Sequence, residues 1–260
     1  MIIFTCANSD IAIRSDGRVY KNFSFRSVIQ DTVNKANELG YTPVVYDMGN
    51  LGIGERFILN NVTTNALFKP VIVKHCMETN EDDIFVYLDG DAQLYNAIDE
   101  VAEGDYDIGV TLRPFPEIDN EWYRQNFKWM KYLNAGVMIF KRTNATRQFI
   151  DIWHKLTENV GDDQVALNKL ACLDEYPEAG SILEINGVRF KYFPCRQYNY
   201  YHFEDRLEDN IKILHFKGIV RHFYPFNWRK RLYCKTVVPV RNRTIEILKK
   251  ILPLKSSGNR

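Results

Sequence analysis

The sequence predicts an α/β protein, a single domain with a mostly parallel central sheet and flanking helices. Short apolar runs alternate with helix-period segments, which is the βαβ order of a doubly wound sheet. Residues 84–88 are all apolar or aromatic, as expected of a strand buried on both faces of a parallel sheet. The chain of 260 residues has no linker or repeat, and its length fits one large domain or two small ones.

The first part of the chain supplies the core of this alternation. Strands are expected at residues 2–7, 41–46 and 84–88. Residues 25–39 carry apolar side chains at 3.6-residue spacing and precede Gly40, which predicts a helix that ends there. A second helix is expected over residues 64–77, where Lys69-Pro70 marks a turn or the start of the helix.

The rest of the chain continues the alternation, with one long interruption at residues 113–132. Further strands are expected at residues 107–112, 134–140, 182–185, 188–193 and 211–216. Helices are expected at residues 97–101, from Thr143 or Asn144 to 156, at 165–171 and at 240–252. Asn186-Gly187 predicts a tight hairpin turn, and Asp162 is placed to cap the helix that follows it.

Two carboxylates follow the apolar run of residues 84–88, in the sequence Asp89-Gly90-Asp91. Ligands of open α/β sheets bind beyond the carboxyl ends of the strands, where these side chains are expected. Gly90 permits close approach of a ligand or an unusual backbone angle. Two oxygen donors that converge on one point suit Mg²⁺ or Mn²⁺. The alternative is a strand-to-turn transition, since Asp-Gly-Asp is also a good turn sequence.

The bulk composition excludes several other classes of protein. A formal net charge of +1 argues against a dedicated nucleic-acid binder, so no nucleic-acid partner is expected. The five cysteines are scattered without zinc-ligand or redox spacing, which indicates reduced thiols in a cytosolic compartment. The apolar N-terminus is too short for a signal peptide, and no stretch approaches the roughly 18 apolar residues of a membrane span. The sequence therefore predicts a cytoplasmic protein.

Four short motifs lie at the predicted ends of strands or the starts of helices. They are Asp89-Gly90-Asp91, Asn134-Ala135-Gly136, Asp163-Gln164, and His215 with Gly218 and Arg221. In this order the chain resembles, over about residues 1–222, the GT-A (Rossmann-like) nucleotide-sugar glycosyltransferases. The motif pattern is most similar to the retaining group that includes glycogenin and the bacterial lipooligosaccharide galactosyltransferases.

The resemblance implies a metal-dependent enzyme that moves a sugar from a nucleoside-diphosphate donor to a glycan, lipid-linked or protein acceptor. The donor implied is a UDP-sugar, with guanosine as the alternative base, and the transfer retains configuration by front-side attack. Asp89, Asp91 and His215 would hold Mn²⁺ or Mg²⁺ against the donor diphosphate, where the ion acts as a Lewis acid. The alternative for His215 is a satisfied polar residue at a strand end.

The remaining site residues are also implied by the resemblance. Asn134 would face the hydroxyls of the transferred sugar beside Gly136, although Ala-Gly also suits packing between a strand and a helix. Asp163 would bind donor-sugar hydroxyls and Gln164 would face the anomeric carbon, with helix capping as the alternative. Val165 stands where the family usually has an Asp.

The nucleotide is expected to lie over the first strand. The positions that match the base-binding and ribose-binding residues of the family are Thr5, Ala7, Asn8 and Asp10. Lys69 is a further phosphate contact, with Gly218 and Arg221 at the diphosphate. Arg221 stands where the family has a Lys, and an Arg binds phosphate with a different, bidentate geometry. The Pro and Trp that often follow that Lys are absent.

Two segments leave alternatives open. The aromatic residues 122–129 are a candidate acceptor site, because sugar C–H faces pack on rings, or are ordinary core aromatics. Residues 228–260 form a basic extension of the domain at residues 1–227. It is either a solvated helix or a peripheral attachment to an anionic membrane, which would hold the enzyme near a lipid-linked acceptor.

Two other functions compete with the transferase. A metal-dependent phosphohydrolase also uses Asp-x-Asp after a strand, but aspartate-nucleophile phosphatases place it on the first strand. A non-catalytic sugar-nucleotide-binding module would share the fold without turnover.

Overall fold

An eight-stranded mixed sheet forms the centre of the protein. The structure, a computed structural model, describes residues 1–7, 9–12, 17–47, 55–56, 68–114, 132–171, 173, 175–203 and 210–251. The strands of the sheet are β1 Ile2–Ala7, β2 Thr42–Asp47, β3 Glu55–Arg56, β4 Ile84–Asp89, β6 Ile108–Leu112, β7 Leu133–Lys141, β8 Ile182–Ile185 and β9 Val188–Pro194. The strand order is β3-β2-β1-β4-β7-β6-β9-β8. All run in one direction except β7 and β8. The α/β fold class and the mostly parallel sheet are therefore confirmed.

Helices pack against the sheet. They are α1 Phe25–Glu38, α2 Lys69–Thr79, α3 Asn144–Val160, α4 Asp163–Ala171, α5 Cys195–Tyr198 and α6 Trp228–Ile251. The side chain of Ser24 caps α1 by accepting a hydrogen bond from the Ser27 amide. Thr143 caps α3 in the same way, and Gly161 ends that helix with φ of 77°. The sequence left open whether Thr143 or Asn144 caps α3, and the structure shows that Thr143 is the cap.

The central strands β1 and β4 are buried along nearly their whole length, as their continuous apolar sequences require. Their parallel register places Cys6 beside Asp89, so both strands end at the same level. β7 runs against β4, and its first residues therefore lie at the same edge of the sheet. Asn134, near the start of β7, thus joins the carboxyl end of β4 although it is far away in sequence.

The protein has a second sheet of two strands, of which the sequence predicted only one. β5 (Ala92–Leu94) pairs antiparallel with β10 (Ile213–His215), and His215 lies opposite Ala92. The Phe216 amide donates to the Asp91 carbonyl at 2.8 Å. β5 is a strand of three residues that the sequence reading missed, and it brings His215 to the aspartate pair.

Several element boundaries differ from the sequence prediction. The helix expected at residues 97–101 is a 3-10 turn, Asp99–Ala102, and the strand expected at 211–216 is β10. The final helix begins at Trp228, not at residue 240, and contains Pro239. The hairpin is confirmed, since Asn186 and Gly187 both have positive φ, as a tight turn needs. Residues 64–67 lie outside the described residues, and α2 begins at Lys69.

Asp107 links three elements just before β6. Its two oxygens accept hydrogen bonds from the amide and guanidinium of Arg189 on β9, at 2.9 to 3.1 Å. Oδ1 also accepts from the Thr143 hydroxyl at the start of α3, at 2.8 Å. Burial would raise the pKa of Asp107, but the hydrogen bonds from Arg189 outweigh it and the pKa is lowered.

We expect Asp107→Asn to lower the free energy of unfolding by about 1–3 kcal/mol, because it leaves the part-buried donors of Arg189 and Thr143 without an ionised acceptor. The lowered pKa means that this contribution is complete above the unfolded pKa of about 3.9 and is lost as pH falls through the folded value. The difference in the free energy of unfolding between the wild type and the variant, measured by urea unfolding, should therefore become smaller at acid pH. Asp105→Asn is the control, since Asp105 also pairs with Arg189 but its side chain is 88% exposed. Equal losses for both variants would contradict the assignment.

Candidate active site

A cavity of about 660 Å³ opens where β1 and β4 end. This volume lies within the range of small-molecule sites. Of the residues singled out from the sequence, those in its wall are Ala7, Lys69, Asp89, Gly90, Asp91, Asn134, Asp163, Gln164, His215 and Arg221. All four sequence motifs therefore contribute to one cavity, although they are spread over most of the chain.

Asp89, Asp91 and His215 form the innermost cluster of the cavity. One potential ligand atom from each lies within 4.8 Å of the others. Nε2 of His215 is 3.0 Å from Oδ1 of Asp91 and 4.0 Å from Oδ2 of Asp89. Asp91 and His215 are buried, whereas the side chain of Asp89 is 29% exposed. The cluster thus has one side open to the cavity.

The chemistry and the space of this cluster fit a divalent cation. Carboxylate oxygens and an imidazole nitrogen together are suitable ligands for Mn²⁺. A Cβ atom on Gly136 would lie 2.5 Å from Cε1 of His215 and 3.0 Å from Oδ2 of Asp89. Only glycine at position 136 leaves room for the imidazole and the carboxylate to face each other.

Arg221 balances the charge of Asp91. Its guanidinium donates to Oδ2 of Asp91 at 2.7 Å. Burial would raise the pKa of Asp91, but His215 and then Arg221 outweigh it and hold that pKa well below its usual range. The guanidinium carbon also lies 5.3 to 5.7 Å from the ring centroids of Tyr20, Phe23 and Phe25.

Lys69 lies between the cluster of Asp89, Asp91 and His215, called the metal-type cluster below, and the side of the cavity where the transferred sugar is expected. Its buried Nζ lies 2.6 Å from Asp163 and 3.1 Å from Asp89, and it donates to the Ala135 carbonyl at 3.0 Å. Burial would lower the pKa of Lys69, but Asp163 and then Asp89 outweigh it, so the pKa is raised. Lys69 is therefore charged at neutral pH and is held between two carboxylates.

The Asp163-Gln164 motif points into the cavity. The capping bond at this helix start comes from Asp162, whose Oδ1 accepts from the Val165 amide at 2.8 Å. Asp163 is buried in the cavity wall, and the indole of Trp153 donates to its carbonyl at 2.9 Å. Oε1 of Gln164 lies 3.4 Å from the Ala135 amide. Capping by Asp162 leaves the Asp163 carboxylate available to the cavity.

The N-terminal positions are only partly brought together. Ala7 is in the cavity wall, whereas Thr5 is buried in β1 and Gly218 begins a 3-10 turn with φ of 57°. Asp10 accepts hydrogen bonds from the Ser24 hydroxyl and the Arg26 amide, so it supports the start of α1. Asn8 and the aromatic residues 122–129 lie outside the described residues. Nucleotide binding by Thr5, Asn8, Asp10 and Gly218 stays a prediction.

Sequence reasoning missed several polar residues of the site, among them Lys217 in the cavity wall, Tyr87 and Asn199. The Tyr87 hydroxyl donates to Oδ1 of Asp89 at 2.9 Å, and i, i+2 spacing on β4 was the available signal. Asn199, which is fully buried, lies 2.7 Å from Nδ1 of His215. No sequence pattern marks Asn199, because its place depends on a contact between α5 and β10.

No protein-family model and no curated protein sequence matches the chain. The chain does match solved structures. One is a glycosyltransferase involved in the glycosylation of the major capsid of PBCV-1, with 12% identity and a TM-score of 0.54 over 84% of this chain and 94% of that one. Another is an active-site mutant of LgtC, with 16% identity and a TM-score of 0.51 over 93% of this chain and 96% of that one. A galactosyltransferase LgtC complex with donor and acceptor sugar analogues has 16% identity and a TM-score of 0.49, over the same shares of the two chains.

The first two likenesses, with TM-scores of 0.54 and 0.51, confirm the fold, which is that of the GT-A glycosyltransferases, over most of the length of each chain. At identities of 12% and 16% they show fold alone, and the activity has to be argued from the site.

We expect Gly136→Ala to weaken Mn²⁺ binding by about tenfold or more, because the added methyl group would displace the His215 ring. Isothermal titration of the nucleotide-free protein measures this affinity. Gly109→Ala is the matched control, since its Cβ would lie 2.6 Å from Phe193 in the core. The control should lose stability but keep its metal affinity. Equal metal affinity in both variants would show that the space beside Gly136 does not matter.

Proposed function

We propose that this protein is a glycosyltransferase that moves a sugar from a nucleoside-diphosphate donor, a UDP-sugar by preference, to a glycan, lipid-linked or protein acceptor. The single observation that carries the proposal is the meeting of the Asp89-Asp91-His215 cluster and the Lys69-Asp163 pair in one cavity. The shared fold supports it, because one solved structure of this fold is a glycosyltransferase involved in the glycosylation of the major capsid of PBCV-1.

The charges in the cavity wall suit a nucleoside diphosphate bound together with a divalent cation. The wall contains three carboxylates, Asp89, Asp91 and Asp163, and three basic side chains, Lys69, Lys217 and Arg221. Asp89, Asp91 and His215 would hold Mn²⁺ or Mg²⁺, which supplies Lewis-acid stabilisation of the departing diphosphate. Lys69 and Arg221 already neutralise the carboxylates beside the ion, so the diphosphate meets little fixed negative charge.

The sugar of the donor would lie between Asp163 and β7. The Asp163 carboxylate is held in place by Lys69 and can accept hydrogen bonds from sugar hydroxyls. Oδ1 of Asn134 accepts a hydrogen bond from the Gly136 backbone amide at 2.8 Å. The side-chain NH₂ group of Asn134 is the part that can donate to a sugar hydroxyl. Gln164 completes this wall. Retention is part of the proposal, and its support is the Asp163-Gln164 motif.

A phosphohydrolase is the second candidate, but the site fits it less well. Aspartate-nucleophile phosphatases carry their Asp-x-Asp pair on the first strand. Here the pair follows β4, after three earlier strands of the same sheet. A non-catalytic module stays an outcome of the test.

We further propose that the protein is cytoplasmic and peripheral at a membrane, with α6 as the contact. The first half of α6 docks on the domain through the buried residues Cys234 and Val238. Its outer face carries an apolar stripe, defined as Tyr233, Val237, Val240 and Ile247, which are 40% to 66% exposed. Exposed basic residues on the same helix are Arg229, Lys235, Arg241 and Arg243. Apolar and basic side chains together suit an anionic lipid surface. Among the described residues, no helix is long and apolar enough to cross a bilayer.

A thermal-shift panel of UDP, GDP, CDP, ADP and dTDP, each with and without Mn²⁺, tests donor binding. Ligands that bind the native state raise the melting temperature, by the equivalent of about 2.7 kcal/mol at 100 times Kd. We expect one nucleotide to stabilise the protein, and only with the metal. Asp91→Asn should lose this response, while Asp151→Asn, on the exposed Lys74–Asp151 pair, should keep it.

Turnover distinguishes the three functions. Release of nucleoside diphosphate from the matching sugar nucleotide should fall at least about 100-fold in Asp91→Asn, because the metal cluster loses a charged ligand. A rate of release in Asp91→Asn that equals the wild-type rate would contradict the proposed dependence on the metal. Release of inorganic phosphate from phosphate monoesters would favour the phosphohydrolase, and binding without turnover of any donor would favour the module.

The membrane contact is tested by co-sedimentation with phosphatidylserine and phosphatidylcholine vesicles. We expect Tyr233→Ser, Val240→Ser and Ile247→Ser together to reduce binding to the anionic vesicles by about tenfold or more, because the apolar insertion is lost. The matched control carries Ile152→Ser, Ile182→Ser and Leu183→Ser, three exposed apolar residues outside α6. Binding that is equal in both triple variants, or concentration-dependent dimerisation through α6, would contradict the membrane contact.

A further inference from the structure

A buried row of polar side chains runs behind the metal-type cluster, on the far side of the His215 ring. Nδ1 of His215 lies 2.7 Å from Oδ1 of Asn199. Nδ2 of Asn199 donates to the Thr111 hydroxyl oxygen at 2.8 Å, and that hydroxyl donates to the Asn134 carbonyl at 3.2 Å. All four residues are at most 3% exposed.

Donor and acceptor capacities give this row a direction. The Asn134 carbonyl can only accept, so the Thr111 hydroxyl donates to it and offers its own oxygen to Asn199. The amide of Asn199 therefore presents its NH₂ group to Thr111 and its oxygen to His215. An amide oxygen can only accept, so Nδ1 of His215 carries a proton, as the hydrogen-bond network assigns it.

The opposite ring nitrogen is the one that faces the carboxylates. Nε2 of His215 is the atom 3.0 Å from Asp91 and 4.0 Å from Asp89. Before an ion binds, Nε2 donates a hydrogen bond to Oδ1 of Asp91, because a carboxylate can only accept, and a bound ion would replace that proton. The imidazole then keeps its proton on Nδ1 and presents the Nε2 lone pair to the metal.

We propose that Asn199 is a positioning residue for His215: it accepts the Nδ1 hydrogen bond, fixes the orientation of the ring and keeps Nε2 available as a ligand for the divalent cation. This inference rests on the metal site of the proposed function. Metal-bound histidines are commonly fixed in this way by an acceptor on the other ring nitrogen, and loss of that acceptor typically costs about 10–100-fold in metal affinity.

The backbone holds Asn199 rigidly enough for this task. Its amide donates to the Cys195 carbonyl at 3.0 Å, and its own carbonyl accepts from the Cys195 thiol at 3.1 Å. The carbonyl of the next residue, Tyr200, accepts a hydrogen bond from the His215 amide at 2.8 Å, and the Tyr200 amide donates to the Ile213 carbonyl at 2.9 Å. Asn199 and His215 are thus fixed to each other through backbone pairing with β10, and their side chains meet on one side of it.

Isothermal titration of Mn²⁺ into the full nucleotide-free chain tests the inference. Asn199→Leu has a similar size and no acceptor, and we expect its affinity to fall about 10–100-fold. Asn199→Asp keeps an acceptor for Nδ1 and should bind within about threefold of wild type. Thr146→Val is the structural control: it removes a buried hydroxyl that donates to the Asp107 carbonyl, so its melting temperature should fall and its metal affinity should not.

Each outcome decides a different claim. Wild-type affinity in Asn199→Leu would overturn the role of Asn199 and leave the metal site intact. A loss of tenfold or more in Asn199→Asp would also overturn it, including where Asn199→Leu does not fold. No Mn²⁺ binding by the wild-type protein would overturn the metal site itself and the inference with it.

Discussion

The buried carboxylate of Asp91 is the interaction on which the arrangement of the site depends. A carboxylate that is 6% exposed is costly unless charged or donor groups surround it. Its partners, His215 and Arg221, lie 124 and 130 residues further along the chain. The pairing of β5 with β10 brings them there, because His215 lies opposite Ala92 in that small sheet. The same contact that satisfies the buried charge therefore assembles the metal-type cluster.

Charge compensation extends from this point through the whole cavity wall. Lys69 lies between Asp89 and Asp163, as Arg221 lies beside Asp91, so each carboxylate of the wall has a basic partner. The carboxylates are consequently held in position by basic side chains before any ligand arrives. In the proposed reaction, such preorganisation lowers the reorganisation needed when charge develops on the departing diphosphate.

The parts of the fold that depend on local sequence could be predicted from the sequence. β4 follows from its apolar run and the hairpin from Asn186-Gly187, whereas Lys69-Pro70 indicated the start of α2 only as one of two alternatives. The aspartate pair is found because strand ends carry ligand sites in this class of sheet. Asn199 and β5 could not be predicted in this way, since a three-residue strand and a buried amide owe their places to tertiary pairing. The start of α6 was missed for a related reason: only Cys234 and Val238 are buried in its first half, too few to produce a helical period.

Arg221 shows how a departure from the family pattern is accommodated. A Lys presents one compact ammonium group, whereas the planar guanidinium can donate to Asp91 and also lie against aromatic rings. Those rings, Tyr20, Phe23 and Phe25, come from the segment at the start of α1. Nε of Arg221 is buried and has no hydrogen-bond acceptor among the residues that the structure describes. A phosphate oxygen that reached Nε would satisfy this donor, which supports the diphosphate contact proposed for position 221.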